Sequence, residues 1–345
     1  LRAGAPIPAT RRVGSIRPEI VLIYLSLPLP ARRGAFVRRR TAVRPCHPRS
    51  LMTAEHRPDQ FVLTLSCPSA AGQVAAVVGF LDRHRCYVDA LNVFDDDLSN
   101  RFFVRCVFHP TDETLQIDAL RQEFAPIAAV LGGGESDTQW AIHDVNARPK
   151  VLIMVSKLEH CLADLLFRWR MGELKMDIVG IVSNHPDFEP LAVQHGLPFR
   201  HFPITADTKA QQEAQWLDFF ETSGAELVIL ARYMQVLSQE TSAKLANRAI
   251  NIHHSFLPGF KGAKPYHQAH ARGVKLIGAT AHFVTDDLDE GPIIEQVVER
   301  VDHALRPEQL LAVGRDVESL TLARAVKAFI ERRVFLNGDR TVVFP

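Results

Sequence analysis

From residue 151 onward, short continuous runs of apolar residues alternate with amphipathic stretches, and this alternation strongly constrains the fold. A strand that is apolar along its whole length is buried on both faces, which is typical of a parallel sheet covered by helices on both sides. The runs predicted to be strands are Val151–Val155, Ile178–Val182, Phe199–Phe202, Leu227–Ala231 and Ala249–Ile252. The sequence therefore predicts a Rossmann-like domain over residues 149–345, with a mostly parallel sheet and a long final helix near 307–333.

A different pattern precedes this region. Residues 60–145 read as strand, helix, strand, strand, helix, strand, an order that packs as an antiparallel sheet with two helices on one face. This βαββαβ order predicts a ferredoxin-like α+β domain over residues 58–145. The chain as a whole is expected to be α/β with two domains, which agrees with its length of 345 residues.

Residues 1–51 are expected to be a disordered or non-native leader. They contain eleven Arg, no Lys and one acid, Glu19, and Met52 reads as a natural start. Two alternatives stay open: a transit peptide, because such leaders are Arg-rich and poor in acids, and a signal peptide with its apolar part near Ile20–Leu29. That apolar part is far shorter than a membrane span, so no membrane attachment is expected.

Charge and cysteine usage narrow the class of protein. The net charge of +1 hides a net acidic chain after the Arg-rich leader, and an acidic body is not expected to bind nucleic acid. The five Cys, at 46, 67, 86, 106 and 161, are odd in number and scattered, without the paired spacing of a zinc site or a disulfide framework. A reducing compartment follows, so the protein is expected to be cytoplasmic.

Two groups of polar residues suited to catalysis follow predicted strands. The first begins at Asn251 and includes His253, and the second follows the apolar run Ile277–Val284 and includes Asp289. In open α/β sheets, ligands bind beyond the carboxyl ends of the strands, so a loop directly after a strand is well placed for a site.

These two groups resemble a known signature. Asn-Ile-His-x-Ser-x-Leu-Pro-x-Phe-x-Gly from residue 251, with His-Phe-Val-x-x-x-Leu-Asp-x-Gly-Pro-Ile-Ile from residue 282, is similar to the pattern of the transferases and hydrolases that use formyltetrahydrofolate. Three features resemble the deformylases within that group: the preceding ACT-like domain, the His254 that follows His253, and a turn after the first strand, Val155–Leu162, that lacks glycine. A turn without glycine brings few backbone N–H groups close to a phosphate.

The resemblance implies an ACT-like regulatory domain over 58–145 and a formyltransferase-fold catalytic domain over 149–345. It implies hydrolysis of 10-formyltetrahydrofolate to tetrahydrofolate and formate, which supplies formate for purine biosynthesis and balances the one-carbon folate pool. Folate and water would be the partners of the reaction, with no separate cofactor and no metal. A homo-oligomer is also expected by analogy.

The same resemblance implies roles for individual residues. Asn251 would donate to the oxyanion of the tetrahedral intermediate, His253 would join it and move protons, and Asp289 would orient His253 and accept a proton from water. The residues expected to bind the folate are Leu230, Met234, Val236, Asp286 and Asp287. The residues expected to fill or polarise the water side are His254, Lys157 and His160.

One departure concerns the regulatory domain. Deformylases commonly have Cys-Pro-Asp-Arg-x-Gly after the first strand, whereas this chain has Ser69 and Ala70 in place of the Asp and Arg. The resemblance implies an amino-acid effector at this domain, and the loss of the Asp and Arg removes two residues of the pattern that accompanies such a site.

Two other activities stay open at this stage. The first is transfer of the formyl group to an amine such as glycinamide ribonucleotide. The second is a His-based metallohydrolase, because His267 and His270 lie three residues apart, although no H-E-x-x-H pattern supports it.

Overall fold

The computed structural model of the chain describes residues 59–112, 115–132, 137–205, 207–257 and 265–345. The predicted leader over 1–51 lies outside these residues, as does the second half of the first motif, 258–264. None of the helices in the described part of the chain combines the length and the hydropathy that a membrane crossing requires.

The first domain is built around an antiparallel sheet. Its elements in chain order are β1 (Phe61–Pro68), α1 (Gln73–Arg83), β2 (Cys86–Asp96), β3 (Arg101–Pro110), α2 (Ile117–Leu131) and β4 (Gln139–Asp144). The sheet order within the described residues is β2-β3-β1-β4, and every neighbouring pair is antiparallel. The predicted βαββαβ order and ferredoxin-like arrangement are therefore present.

Aromatic side chains join the two helices to this sheet. Phe80 of α1 and Phe124 of α2 are buried, and their ring centroids lie 5.0 Å apart in an edge-to-face arrangement. They belong to a core cluster that includes Leu63 and Leu65 of β1. Burial of these apolar side chains holds both helices on the sheet.

The second domain is built around a sheet of seven strands within the described residues, in the order β11-β10-β9-β8-β5-β6-β7. Its elements are β5 (Lys150–Val155), α3 (His160–Arg170), β6 (Asp177–Ser183), α4 (Glu189–Gln194), β7 (Phe199–His201), α5 (Lys209–Ser223), β8 (Leu227–Leu230), α6 (Gln239–Lys244), β9 (Ala249–His253), α7 (Pro265–Ala271), β10 (Leu276–Phe283), β11 (Ile293–Arg300) and α8 (Pro307–Ile330). Strands β5 to β9 pair in parallel, whereas β10 and β11 are antiparallel to their neighbours.

The central strand β5 shows why its apolar run predicts a parallel sheet. Ile153 packs into a core on one face of the sheet, whereas Leu152 and Met154 pack into a second core on the other face. All three side chains are fully buried. A strand buried on both faces has no solvent-facing positions for polar residues, so the mostly parallel sheet is confirmed.

A final hairpin links the second domain to the first. Strands β12 (Val334–Asn337) and β13 (Arg340–Val343) pair with each other. Asn337 donates from Nδ2 to Oδ2 of Asp96 at 2.7 Å, and the ring of Phe335 lies 5.9 Å from that of Phe103. These contacts tie the end of the chain to the antiparallel sheet.

Candidate active site

The end of β9 and the turn after β10 meet at one edge of the seven-stranded sheet. Asn251 and His253 are both on β9, two residues apart, so their side chains leave the same face of the strand. The antiparallel strand β10 places His282 directly opposite Asn251. The chain then turns back and brings Asp289 to the same place.

The side chains of His253 and Asp289 are in close contact and largely buried. Nδ1 of His253 lies 3.1 Å from Oδ2 of Asp289, and the two side chains are 6% and 18% exposed. The hydrogen bond from His253, with a smaller contribution from His282, holds the pKa of the Asp289 carboxyl far below its ordinary value. Asp289 is therefore a stable carboxylate that fixes the imidazole of His253 in one orientation.

The amide of Asn251 is held by His282. Nδ1 of His282 lies 2.8 Å from the carbonyl oxygen of Phe283, which only accepts, so Nδ1 carries the proton. Nε2 of His282 lies 3.3 Å from Nδ2 of Asn251 and 3.8 Å from Oδ1 of Asp289. Because Nδ2 of Asn251 carries two hydrogens, the amide can contact His282 and also donate to a ligand oxygen.

The other nitrogen of His253 contacts a hydroxyl, and a second ring covers its face. Nε2 of His253 lies 2.9 Å from Oγ of Ser255. The ring of His254 stacks on that of His253 with centroids 4.9 Å apart. Burial, followed by the charges of Arg232 and His253, lowers the pKa of His254 to about 4, so this ring is neutral at pH 7.

A cavity of about 280 Å³ opens beside these side chains. Asn251, His253 and Asp289 line it, together with six of the residues expected to bind substrate: Leu230, Met234, Val236, His254, Asp286 and Asp287. Three large apolar side chains at its wall, Met234, Val236 and Leu288, are more than half exposed. Exposed apolar surface in a concave site is typical of a binding slot for a flat, mostly apolar ligand.

Two residues expected on the water side lie elsewhere. Lys157 is exposed in the turn after β5, and His160 at the start of α3 directs Nε2 to Oε2 of Glu318 at 2.7 Å. Neither lines the cavity. The turn after β5 is at the expected sheet edge, but the contact of His160 is with Glu318 of α8.

A group of side chains with metal-ligand atoms is formed, among the described residues, by His160, Cys161 and Glu318. Glu318 already accepts from Tyr266 at 2.6 Å and pairs with Arg232 at 3.4 Å, and burial raises the pKa of the Cys161 thiol. A neutral thiol and an occupied carboxylate are poor ligands, so this group does not support a metal site.

Several contributors were not identified as site residues from the sequence. Ser255 and His282 lie within the two motifs. Ser255 is two residues after His253, and His282 pairs with Asn251 across the two strands, so both positions could have indicated a role in the site. Arg232 also lines the cavity, and no local pattern points to it. The sequence gives one indication of Glu318, which is an acid on the otherwise apolar face of a long helix. A buried acid in such a position needs a partner.

Gly291 sets the position of the Asp289 turn. A Cβ added at Gly291 would overlap the carbonyl oxygen of Phe283, the same oxygen that accepts from His282. We expect Gly291→Ala to displace Asp289 and to lower kcat/KM by about 10²-fold, the effect of a misplacement near 1 Å. Steady-state kinetics of the purified variant measure this.

The matched control is Gly79→Ala in α1, where an added Cβ meets only the end of the Arg83 side chain at 3.9 Å. This variant should retain the wild-type rate. Equal rates for Gly291→Ala and Gly79→Ala would show that the Asp289 turn tolerates the displacement.

The chain is similar to known proteins over most of its length. The family model described as Formyl transferase matches residues 149–326. A formyltetrahydrofolate deformylase from Corynebacterium sp. (strain P-1) is 52% identical over 282 residues, which are 82% of this chain and 97% of that protein. The crystal structure of a formyltetrahydrofolate deformylase from Burkholderia mallei is 88% identical, with a TM-score of 0.80, and covers 84% of this chain and 100% of its own.

A glycinamide ribonucleotide transformylase from Symbiobacterium toebii is more distant. Its structure is 29% identical, has a TM-score of 0.54, and covers 57% of this chain and 95% of its own. The shared part is therefore the size of one domain, whereas the similarity to the deformylases extends over more than four fifths of the chain. The chain belongs to the formyltetrahydrofolate deformylase family.

Proposed function

We propose that the protein hydrolyses 10-formyltetrahydrofolate to tetrahydrofolate and formate. The observation that carries this proposal is the convergence of Asn251, His253 and Asp289 on one cavity. An amide donor, an imidazole and a carboxylate are suited to hydrolysis of a formamide, because the reaction forms an oxyanion and expels an amine that must be protonated.

Asn251 and His253 have separate roles in the proposed reaction. Water attacks the formyl carbon while the remaining Nδ2 hydrogen of Asn251 donates to the oxygen that becomes an oxyanion. His253 takes the proton of the attacking water at Nε2, where Ser255 is its present partner, and returns it to N10 of the folate as the carbon–nitrogen bond breaks. Formate and tetrahydrofolate leave.

The carboxylate of Asp289 has a supporting role in this scheme. Because its pKa is held far below the ordinary value, Asp289 is a weak base toward water. Its charge instead stabilises the imidazolium that forms when His253 takes a proton. This differs from the role expected from the sequence, in which Asp289 itself received the proton.

The folate would lie in the apolar part of the cavity. Met234 and Val236 offer exposed apolar surface, and the backbone N–H of Met234 is fixed by Oγ of Ser156 at 3.0 Å. Asp286 and Asp287 also line the cavity, and their exposed carboxylates can accept from the amino group of a pterin. No separate cofactor or metal is needed for this chemistry.

An assay with and without an amine acceptor tests the proposal. The purified protein is incubated with 10-formyltetrahydrofolate, and formate is measured. We expect formate in the absence of any acceptor, at a rate that glycinamide ribonucleotide does not increase. Strict dependence on glycinamide ribonucleotide would instead assign the protein as a transferase.

We also propose a homo-oligomer, because the edge strand β2 exposes the apolar side chains of Tyr87, Val93 and Phe94. An amino-acid effector at the first domain, a cytoplasmic location and a supply of formate to purine biosynthesis are proposed from the family alone.

A further inference from the structure

A buried polar cluster adjoins the cavity and has no part in the chemistry described above. Its centre is Glu318 of α8, which is 2% exposed. Oε1 of Glu318 accepts from the hydroxyl of Tyr266 at 2.6 Å, and Oε2 contacts Nε2 of His160 at 2.7 Å and Nε of Arg232 at 3.4 Å. Helices α3, α7 and α8 and the turn after β8 are thus joined through the carboxylate of Glu318.

The backbone at Arg232 is unusual for an arginine. Its φ of 63° lies in the left-handed region, which favours glycine. The turn is fixed on both sides, because the N–H of Ser156 donates to the carbonyl of Arg232 at 3.3 Å and the N–H of Arg232 donates to the carbonyl of Leu230 at 3.0 Å. An arginine held in a strained conformation at a cavity wall suggests a use for its side chain.

In the ion pair of Arg232 with Glu318, the positively charged residue is the one that lines the cavity. Arg232 lines the cavity beside His253 and His254, whereas Glu318 does not. Arg232 is 8% exposed, so its charge is only weakly screened by water. His254, stacked on His253, is neutral and adds volume without a compensating negative charge. This part of the cavity wall therefore consists of a buried guanidinium, paired with Glu318 behind it, and the side chains of His253 and His254.

We propose that Arg232, anchored by Glu318, is a specificity-determining residue that restricts the attacking nucleophile to water. This inference rests on the proposed hydrolysis. An amine that accepts a formyl group arrives mainly as an ammonium ion at neutral pH, and the guanidinium repels that ion. Water carries no charge and needs less room. In both reactions the formyl carbon gains a bond and loses its bond to N10, so only the nucleophile differs.

Competition between water and a small amine tests this role. Enzyme and 10-formyltetrahydrofolate are incubated at pH 7 with glycinamide, and the ratio of formylglycinamide to formate is measured by mass spectrometry. We expect Arg232→Gly to raise this ratio by about tenfold or more, because a like-charge contact is removed and space is opened. Glycine suits the left-handed backbone, and circular dichroism checks that the variant is folded.

Two further variants separate charge from volume. Arg232→Lys retains the charge and should keep the wild-type ratio, whereas Arg232→Met retains most of the volume and should raise the ratio. An unchanged ratio in both the Gly and the Met variants would overturn the role of Arg232, and an equal rise in the Lys variant would overturn charge as its cause. Absence of formate from the wild-type reaction would contradict the proposed function instead.

Discussion

Replacement of Asp289 by Asn should lower kcat/KM for formate release by about 10³–10⁴-fold, the effect of removing the buried carboxylate from a histidine that carries protons. Oδ2 of Asp289 accepts from Nδ1 of His253 at 3.1 Å. An amide at this position keeps the size of the side chain but loses its charge, so it no longer stabilises the imidazolium. We expect the loss mainly in kcat, because the carboxylate is needed most when His253 is protonated.

A second pair of the same type provides the control. Asp89 lies 3.0 Å from Nδ1 of His109 in the first domain, far from the cavity residues in sequence and absent from its lining. Asp89→Asn removes an equivalent contact without touching the site, so its kinetics should match those of the wild-type protein. If Asp289→Asn loses no more activity than Asp89→Asn, Asp289 does not support the chemistry.

Periodicity alone predicted most of the fold. The apolar runs from residue 151 and the βαββαβ order before them correspond to strands and helices within a few residues. Strand β11 was not predicted, because it lies at the sheet edge and many of its side chains are exposed, so it lacks an apolar run. The final hairpin was also missed, although Asn337 and Gly338 form a dipeptide that favours tight turns, and φ of Gly338 is 61°.

The candidate site was only partly predictable from the sequence. Asn251, His253 and Asp289 were found through a motif, and strand pairing explains why residues so far apart along the chain meet. The ion pair of Arg232 with Glu318 was not found, because it joins a turn to a helix 86 positions later and neither local sequence indicates the other. Contacts of this kind depend on how helix α8 packs across the sheet, which periodicity does not specify.

The same ion pair predicts a large effect on stability. Glu318→Ala should lower the free energy of unfolding by about 3–5 kcal/mol, the cost of leaving a buried charge without its partner. Arg232, which is 8% exposed in the intact protein, would lose its carboxylate partner, and the hydroxyl of Tyr266 would lose its acceptor. Equilibrium unfolding in urea measures the change. Glu308→Ala, at an exposed position in the first turn of the same helix, should cost less than about 1 kcal/mol.

The pH dependence of unfolding is a second way to measure the contribution of Glu318 to stability. Burial raises its pKa, but the hydrogen bonds from His160 and Tyr266 and the charge of Arg232 together outweigh burial, so the pKa is lowered overall. A group with a lowered folded-state pKa stabilises the protein above its unfolded value, about 4.3 for Glu, and this stabilisation is lost as the pH falls through the folded value. The wild-type protein should therefore lose more stability below pH 4.3 than Glu318→Ala.

A double variant separates the unpaired charge from the cavity that the substitution leaves. Arg232→Met removes the cation, and in the Glu318→Ala background no buried charge remains at that contact. We expect the double variant to be more stable than Glu318→Ala alone, because exchanging a whole buried ion pair for apolar groups costs little compared with removing one member. Equal stability of Glu318→Ala and the double variant would mean that other groups balance the charge of Arg232. The loss of stability in Glu318→Ala would then come from the lost contacts of Tyr266 and His160 and from the cavity left by the Glu318 side chain.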